Sequence, residues 1–206
     1  MTLVTQAAVF AAHAHDGATR KGSQIPYIVH PMEAAAIAAT LTDDPHVVAA
    51  AMLHDVMEDC GVSEQTLCER FGARVAALVA YDSQAQTGDP CLSWNERKRE
   101  AVRRIALGGR DARIIALCDK LSNMRAIHRD YLRDGEALFF RFHQHDKQRH
   151  AWYYRSCVAL LQGELGDSEA WRELNALVDS VFGSVVCTEP LMTAAIAGGE
   201  EEACAI

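Results

Sequence analysis

Apolar residues recur at intervals of three and four along almost the whole chain, while alternating runs of β-branched residues are missing. That period matches an α-helix and not a strand. Residues with high helix propensity, above all Ala, Leu, Glu, Arg and Gln, dominate the same stretches. We therefore predict an all-α fold, a bundle of about ten helices. The predicted helices cover 2–16, 32–41, 45–60, 63–70, 72–82, 93–107, 110–128, 135–145, 148–164 and 168–182.

The length of 206 residues, with half of them apolar, suits one globular domain with a real core. We predict a single domain over residues 1–185. A small, acidic tail over 186–206 is expected to be mobile. Two internal segments, 17–30 and 83–92, carry the Gly, Pro and polar residues typical of loops.

The net charge of −8 argues against a protein that covers nucleic acid with a basic surface. No apolar run is long enough for a transmembrane helix, and the N-terminus lacks the basic region of a signal peptide. Seven scattered cysteines, without a CxxC pair, are typical of free thiols inside the cell. We expect a cytoplasmic protein with no nucleic-acid or membrane partner. An oligomer is compatible with the sequence, but no feature supports one.

One histidine and three acids fall together between residues 54 and 59. On a continuous helix, positions i, i+1, i+4 and i+5 share one stripe. That stripe would hold His54, Asp55, Glu58 and Asp59. The acids repel each other at this spacing, and a cation among them would remove the repulsion. Imidazole and carboxylate groups are usable ligands for Zn, Mn or Fe. A solvated acidic helix face is the alternative explanation of this pattern.

Two further residues favour the metal. His30 precedes Pro31, which biases His30 towards an extended conformation at a helix entrance, from which its side chain can point inward. Asp119 lies in a strongly apolar stretch, where a buried carboxylate needs a partner such as a metal ion or Lys120. Asn123, four residues further on, would share the helical face of Asp119.

These residues stand in motifs that resemble a known family. His30, then His54-Asp55, then Asp119 look like the metal signature of the HD phosphohydrolase superfamily. The segments AHDGATRKGSQIPYIVHP, AAAMLHDVMEDC and LCDKLSNMR resemble the hydrolase domain of RelA/SpoT-type alarmone enzymes. The similarity covers about residues 8–160. It implies an HD-domain helical bundle and a stand-alone small alarmone hydrolase.

The resemblance also implies roles for individual residues. The ligands of one divalent ion, usually Mn²⁺ in this family, would be His30, His54, Asp55 and Asp119. The catalytic pair that orients or deprotonates a water would be Glu58 and Asp59. The substrate contacts would be Arg20, Lys21, Lys98 and Asn123. The implied reaction removes the 3′-pyrophosphate from guanosine tetra- or pentaphosphate, a small-molecule nucleotide, to give GDP or GTP and pyrophosphate.

The departures from the family pattern surround the expected nucleotide. The loop RKGSQIPY stands where RKSG-x-PY is usual, and Tyr27 is expected to pack this loop. Cys60 follows the acidic pair in place of Thr, and Ala126 also replaces a Thr. Tyr81-Asp82-Ser83-Gln84 stands where a TK pair is common. These changes leave open a related hydrolase of adenosine polyphosphates, NADPH or another phosphorylated nucleotide, and a nucleotide sensor without catalysis.

Overall fold

The computed structural model describes residues 1–84 and 93–192, and all regular elements in these ranges are helical. The all-α prediction is thereby confirmed. The α-helices are α1 Leu3–Ala14, α2 Val29–Ala38, α3 Pro45–Leu53, α4 Val56–Cys60, α5 Glu64–Phe71, α6 Ala73–Gln84, α7 Trp94–Leu107, α8 Arg110–Asp134, α9 Lys147–Leu165 and α10 Glu169–Phe182. A 3₁₀ helix, Gly135–Arg141, follows α8. No helix in the described ranges is both long and apolar enough to cross a bilayer.

Helix α8 is the central element of the core. It is 25 residues long and contacts α2, α3, α6, α7, α9 and α10. Its segment from 114 to 122 is buried on all sides and includes Ile114, Leu117 and Leu121. A helix that is apolar all round has to be enclosed by others, which explains its position. The polar residues of this segment, Asp119 among them, are therefore carried into the interior.

Several helices begin where serine N-caps in the sequence predict their start. Ser93 accepts a hydrogen bond from the Glu96 amide, while the Glu96 carboxylate accepts one from the Ser93 amide at 2.7 Å. This capping box begins α7, and a cap of this type stabilises a helix by about 0.5–2 kcal/mol. Ser63 and Ser168 cap α5 and α10 with their side-chain oxygens alone, which accept from the amides of Thr66 and Trp171. The cap on α7 fixes the helix that carries Lys98.

The prediction of one helix over 45–60 is wrong, because the helix is interrupted at His54 and Asp55. The Nδ1 atom of His54 hydrogen-bonds the carbonyl of Ala51 at 2.8 Å, and Ser83 of α6 donates to the carbonyl of His54 at 3.3 Å. These contacts occupy the backbone oxygens that a continuing helix would use. His54 and Asp55 therefore form a junction between α3 and α4, and not a stripe on one helix.

The N-terminus of α2 also differs from the expectation. Val29 begins the helix, so His30 lies in its first turn and is not extended before Pro31. The backbone amide of His30 donates to the carbonyl oxygen of Tyr27 at 2.9 Å. Pro31 is tolerated because an amide in the first turn has no helical partner to lose.

The end of α8 differs from the prediction as well. Helix α8 runs to Asp134, and a 3₁₀ helix ending at Arg141 replaces the predicted helix 135–145.

Residues 186–192 follow the last helix and lie against α7 and α9. Trp152 donates to the carbonyl of Pro190 at 2.8 Å, and Arg99 pairs with Glu189 at 2.5 Å. Met192 is buried, and its amide donates to Ser156. The rest of the predicted tail, 193–206, lies outside the described residues. The division into a domain over 1–185 and a tail stays a prediction.

Candidate metal centre and adjoining cleft

Four side chains converge in the interior of the bundle, and they are the four predicted metal ligands. The Nε2 atoms of His30 and His54 lie 3.2 Å apart. Oδ2 of Asp55 lies 3.4 Å from His30 Nε2 and 3.1 Å from His54 Nε2. Oδ1 of Asp119 lies 3.2 and 3.6 Å from the same two nitrogens. All four residues are buried, with at most 6% of their surface exposed.

Three parts of the fold contribute to this cluster. His30 comes from the first turn of α2, His54 and Asp55 from the α3–α4 junction, and Asp119 from the middle of α8. The break at the junction turns both of its residues inward. Because Nδ1 of His54 donates to a backbone carbonyl, its Nε2 presents a lone pair to the cluster.

The donor set fits a divalent metal ion. The two imidazole nitrogens lie 3.2 Å apart and within 3.1–3.6 Å of the two carboxylate oxygens, so a cation among them would offset the repulsion between the carboxylates. His30, His54 and Asp55 form a group with metal-ligand spacing. Which residues ligate the ion stays a prediction.

The electrostatics of the cluster point the same way. Burial lowers the pKa of His54, but Asp55 and Asp119 together raise it well above its usual range. Burial raises the pKa of Asp55, yet His54 and His30 hold it far below its usual range. The two acids therefore favour a positive charge between them, which either a proton or a metal ion can provide.

Two residues that the sequence did not assign to the site contact the predicted ligands. The hydroxyl of Tyr27 donates to Oδ2 of Asp55 at 2.8 Å, so Tyr27 does more than pack its loop. The ammonium of Lys120 hydrogen-bonds Oδ2 of Asp119, deep in the core. The sequence offered Lys120 only as an alternative to a metal. It contained no signal for the role of Tyr27, since an aromatic loop residue can equally well pack without donating.

A cleft of about 490 Å³ opens beside the cluster. Its lining includes all six residues predicted for catalysis and substrate binding, namely Arg20, Lys21, Glu58, Asp59, Lys98 and Asn123. A smaller cavity of about 110 Å³ shares Tyr27, Lys98 and Asn123 with the cleft and reaches His30, Asp55 and Asp119. The cluster therefore lies at the inner end of a cleft with the dimensions of a small-molecule site.

Two of the four predicted substrate residues, Arg20 and Asn123, are linked to the cluster by hydrogen bonds. Arg20 donates to Oδ1 of Asn123 at 2.7 Å, and the amide of Asn123 donates to Oδ1 of Asp119. The Arg20 guanidinium lies 5.6 Å from the ring centroid of Tyr27. Lys98 lies over the ring of Tyr153, at 4.7 Å. Lys21 is exposed at the mouth of the cleft.

Glu58 is exposed to the cleft, and its pKa is raised above the usual value for a glutamate. Its side chain is exposed on the cleft. Even so, loss of hydration on its inner side and the neighbouring charges of Asp55 and Asp59 raise the pKa of Glu58 to about 7. A carboxyl group with this pKa can exchange a proton near neutral pH, which a general acid or base has to do.

Two of the departures from the family pattern lie on the cleft. Ser23 and Ala126 both line it. Gly22 adopts a φ of +70°, and a Cβ there would lie 3.1 Å from Cδ of Arg141, another lining residue. Glycine at this position lets the loop approach Arg141. The substitution of Cys60 for Thr brings a thiol within 3.2 Å of Nδ1 of His15.

Comparisons with known proteins agree with this geometry. A family model described as HD domain matches residues 7–141. The chain is similar to a mouse protein named guanosine-3′,5′-bis(diphosphate) 3′-pyrophosphohydrolase MESH1, with 38% identity over 128 residues, which cover 60% of this chain and 69% of that protein. A Vibrio cholerae protein named guanosine-3′,5′-bis(diphosphate) 3′-pyrophosphohydrolase is also 38% identical over 128 residues. That match covers 59% of this chain but 17% of the longer bacterial protein.

A solved structure shows the same fold. It is described as a metazoan ortholog of SpoT that hydrolyzes ppGpp and plays a role in starvation responses. The two structures superpose with a TM-score of 0.66 at 25% identity, over 86% of this chain and 94% of the other.

Proposed function

The chain belongs to the HD-domain family, and from this premise we propose that it is a metal-dependent hydrolase of guanosine alarmones. The reaction removes the 3′-pyrophosphate from guanosine 3′,5′-bis(diphosphate) or the corresponding pentaphosphate, giving GDP or GTP and pyrophosphate. One observation carries the proposal. The buried His–Asp cluster lies at the inner end of a cleft that also presents two acids and several basic side chains.

His30, His54, Asp55 and Asp119 are the proposed ligands, and Mn²⁺ is the proposed ion. Their mixture of nitrogen and oxygen donors is compatible with Zn, Mn or Fe, and the family resemblance favours Mn²⁺ among these ions. A bound divalent ion supplies Lewis acidity for a phosphoryl oxygen and lowers the pKa of a water. Lys120 and Tyr27 hold the carboxylates of Asp119 and Asp55 in place through their hydrogen bonds.

Glu58 and Asp59 are the proposed catalytic pair. Glu58, with a pKa of about 7, accepts a proton from the water that attacks the phosphorus next to the ribose 3′-oxygen. Asp59 orients that water from the same side of the cleft. The bond between this phosphorus and the 3′-oxygen breaks, and the phosphorus keeps the oxygen of the water in the released pyrophosphate. The 3′-oxygen takes up a proton from solvent, and Glu58 releases the proton that it accepted to solvent.

The basic and polar residues of the cleft bind the nucleotide. Arg20 presents its guanidinium plane close to Tyr27, which suits stacking on a purine base. Lys21 and Lys98 supply point charges for the phosphates. Asn123 is held between Arg20 and Asp119, so its position is fixed relative to the ion and the base.

The proposal is tested by incubating the purified protein with Mn²⁺ and guanosine tetraphosphate. We expect release of pyrophosphate and GDP, which EDTA and Asp55→Asn abolish. Asp43→Asn changes an exposed acid outside the cleft and serves as the matched control. A wild-type protein that releases no pyrophosphate at any metal concentration would disprove this substrate.

A second phosphorylated nucleotide is a competing candidate, because the substituted positions Ser23 and Ala126 line the cleft. A panel of guanosine and adenosine polyphosphates and NADPH, with phosphate and pyrophosphate measured separately, distinguishes the candidates. Cleavage of guanosine alarmones alone would eliminate the competitor. Cleavage of NADPH, which yields phosphate, would replace the first proposal.

We also infer that the protein is cytoplasmic and has a small-molecule nucleotide, not nucleic acid or a membrane, as its partner. Cys60, Cys68, Cys118, Cys157 and Cys187 are free thiols, which supports a reducing compartment. Fractionation of cells that express the tagged chain tests the location.

A further inference from the structure

A chain of hydrogen bonds runs from His30 through Ser122 to Glu33 and Arg125. The last two residues line a surface groove separate from the substrate cleft. We propose that Ser122 and Glu33 are positioning residues that fix the tautomer of His30 with its lone pair on Nε2, the atom that faces the cluster. The relevance to metal binding rests on the proposed function, whereas the tautomer can be measured without it.

The direction of the hydrogen bonds determines the tautomer. Oγ of Ser122 lies 2.6 Å from Oε2 of Glu33, and a carboxylate can only accept, so the hydroxyl proton points to Glu33. The same oxygen lies 2.8 Å from Nδ1 of His30 and has no second proton to give. Nδ1 must therefore carry a proton and donate it. A neutral imidazole has one N–H, which leaves Nε2 unprotonated.

Glu33 itself is held by a rigid ion-pair network. Arg125 donates to Oε1 of Glu33 at 2.9 Å, and its other nitrogens bind both oxygens of Glu173 at 2.7 and 2.6 Å. The bidentate pair fixes the guanidinium plane. The free oxygen of Glu33 is thereby aimed at Ser122, which is 2% exposed. The network joins α2, α8 and α10 behind the His–Asp cluster.

The two histidines are therefore oriented by different means. His54 donates to the backbone carbonyl of Ala51, which side-chain substitutions leave in place. His30 relies on side chains alone. Without Glu33, the Ser122 hydroxyl can reverse and donate to Nδ1, which moves the imidazole proton to Nε2. That proton would face Asp55 and Asp119 and compete with an ion.

The experiment measures the ring nitrogens of His30 by long-range ¹H–¹⁵N NMR, in metal-free protein at alkaline pH. The wild type should show a protonated Nδ1 and an unprotonated Nε2. Ser122→Ala and Glu33→Ala should shift signal to the opposite tautomer, while Ser122→Thr keeps the hydroxyl and the wild-type pattern. Ser156→Ala removes another buried serine hydroxyl, on α9, and should also leave the pattern unchanged.

A titration with Mn²⁺ on the same variants is the second readout. We expect binding to weaken by about 10- to 100-fold in Ser122→Ala and Glu33→Ala, and to stay unchanged in Ser122→Thr and Ser156→Ala. If the His30 tautomer is unaltered in both Ser122→Ala and Glu33→Ala, the inference is overturned, even if the enzyme is active. A wild type that binds no Mn²⁺ overturns the proposed function instead, and the nitrogen spectra still decide the tautomer.

Discussion

His30 and His54 face each other across 3.2 Å with their Nε2 atoms, although 24 residues separate them in the chain. Asp55, from the same junction as His54, and Asp119, from α8, approach the same pair of nitrogens. Burying four such groups costs free energy of desolvation, and apolar contacts in the site do not offset that cost. A bound ion would offset that cost, so metal binding should be visible in the stability of the protein.

Divalent metal should raise the thermal stability. At a free Mn²⁺ concentration about 100 times the Kd, mass action adds about 2.7 kcal/mol, or roughly 5 to 10 °C in Tm. Thermal unfolding with Mn²⁺ or with EDTA measures the difference. Asp55→Asn should remove the response, whereas Asp43→Asn should keep it. Equal Tm values for the wild type in Mn²⁺ and EDTA would contradict the metal site.

Tyr27→Phe should weaken the fold through the loss of one hydrogen bond. The hydroxyl of Tyr27 donates to the buried carboxylate of Asp55 at 2.8 Å, and a hydrogen bond to a charged group contributes about 1.5–3 kcal/mol. Urea unfolding of the metal-free protein should report a loss of that size. Tyr131→Phe, whose hydroxyl donates to Glu136 and accepts from Lys147 near the surface, should change stability by less than about 1 kcal/mol. Equal effects of the two substitutions would refute the special role of Tyr27.

Most helices could be predicted from the sequence, because their signals are local. The period of apolar residues and the Ser93–Glu96 capping box determine α7 without reference to the rest of the molecule. The break at His54 could not be predicted in this way. It depends on Ser83 of α6, which contacts the His54 carbonyl from 29 residues away. Local propensity alone favours one helix over 45–60.

The candidate site, like the helices, could be predicted only where the sequence signal is local. Spacing grouped only residues 54–59. Local context indicated that His30 and Asp119 favour a metal, and the family resemblance then assigned them to the ligand set. The structure brings these residues together, although the continuous helical stripe that suggested part of the grouping does not exist. The contacts of Tyr27 and Ser122 join loops and helices far apart in the chain, so no pattern of residues along the sequence signals them.

Glu58 should give the reaction a pH dependence near neutrality. Partial loss of hydration and the charges of Asp55 and Asp59 raise the pKa of Glu58 to about 7, so the fraction of carboxylate grows as the pH rises through that value. If the carboxylate accepts a proton from water, kcat/KM rises with pH over the same range. Glu58→Gln should lower kcat by about 10²- to 10⁴-fold and flatten this rise. A Glu58→Gln enzyme with wild-type rates would exclude Glu58 as the base.

Asp82→Asn should stabilise the protein increasingly as the pH rises. Oδ2 of Asp82 is buried and finds no hydrogen-bond partner within residues 1–84 and 93–192, and burial raises the pKa of Asp82 despite the nearby charge of Lys120. Because the unfolded chain ionises at a lower pH than the folded one, the wild type loses stability above the unfolded pKa of about 3.9. Unfolding by urea at acidic and neutral pH compares the two proteins. An advantage of the variant that shrinks with rising pH would contradict this explanation.

Lys98 and Arg99 are neighbours on α7 that face different surroundings, so they form a matched pair for testing the substrate cleft. Lys98 lines the cleft over the ring of Tyr153, while Arg99 pairs with Glu189 at 2.5 Å. A lost charge-assisted contact to phosphate costs about 1.5–3 kcal/mol, which corresponds to roughly 10- to 100-fold in affinity. Lys98→Gln should therefore raise KM by that factor without weakening Mn²⁺ binding, and Arg99→Gln should change neither. Steady-state kinetics and a Mn²⁺ titration measure both quantities. Because both variants remove one charge from the same helix, an equal rise of KM in the two would mean that the overall charge of α7 matters, and not a contact made by Lys98.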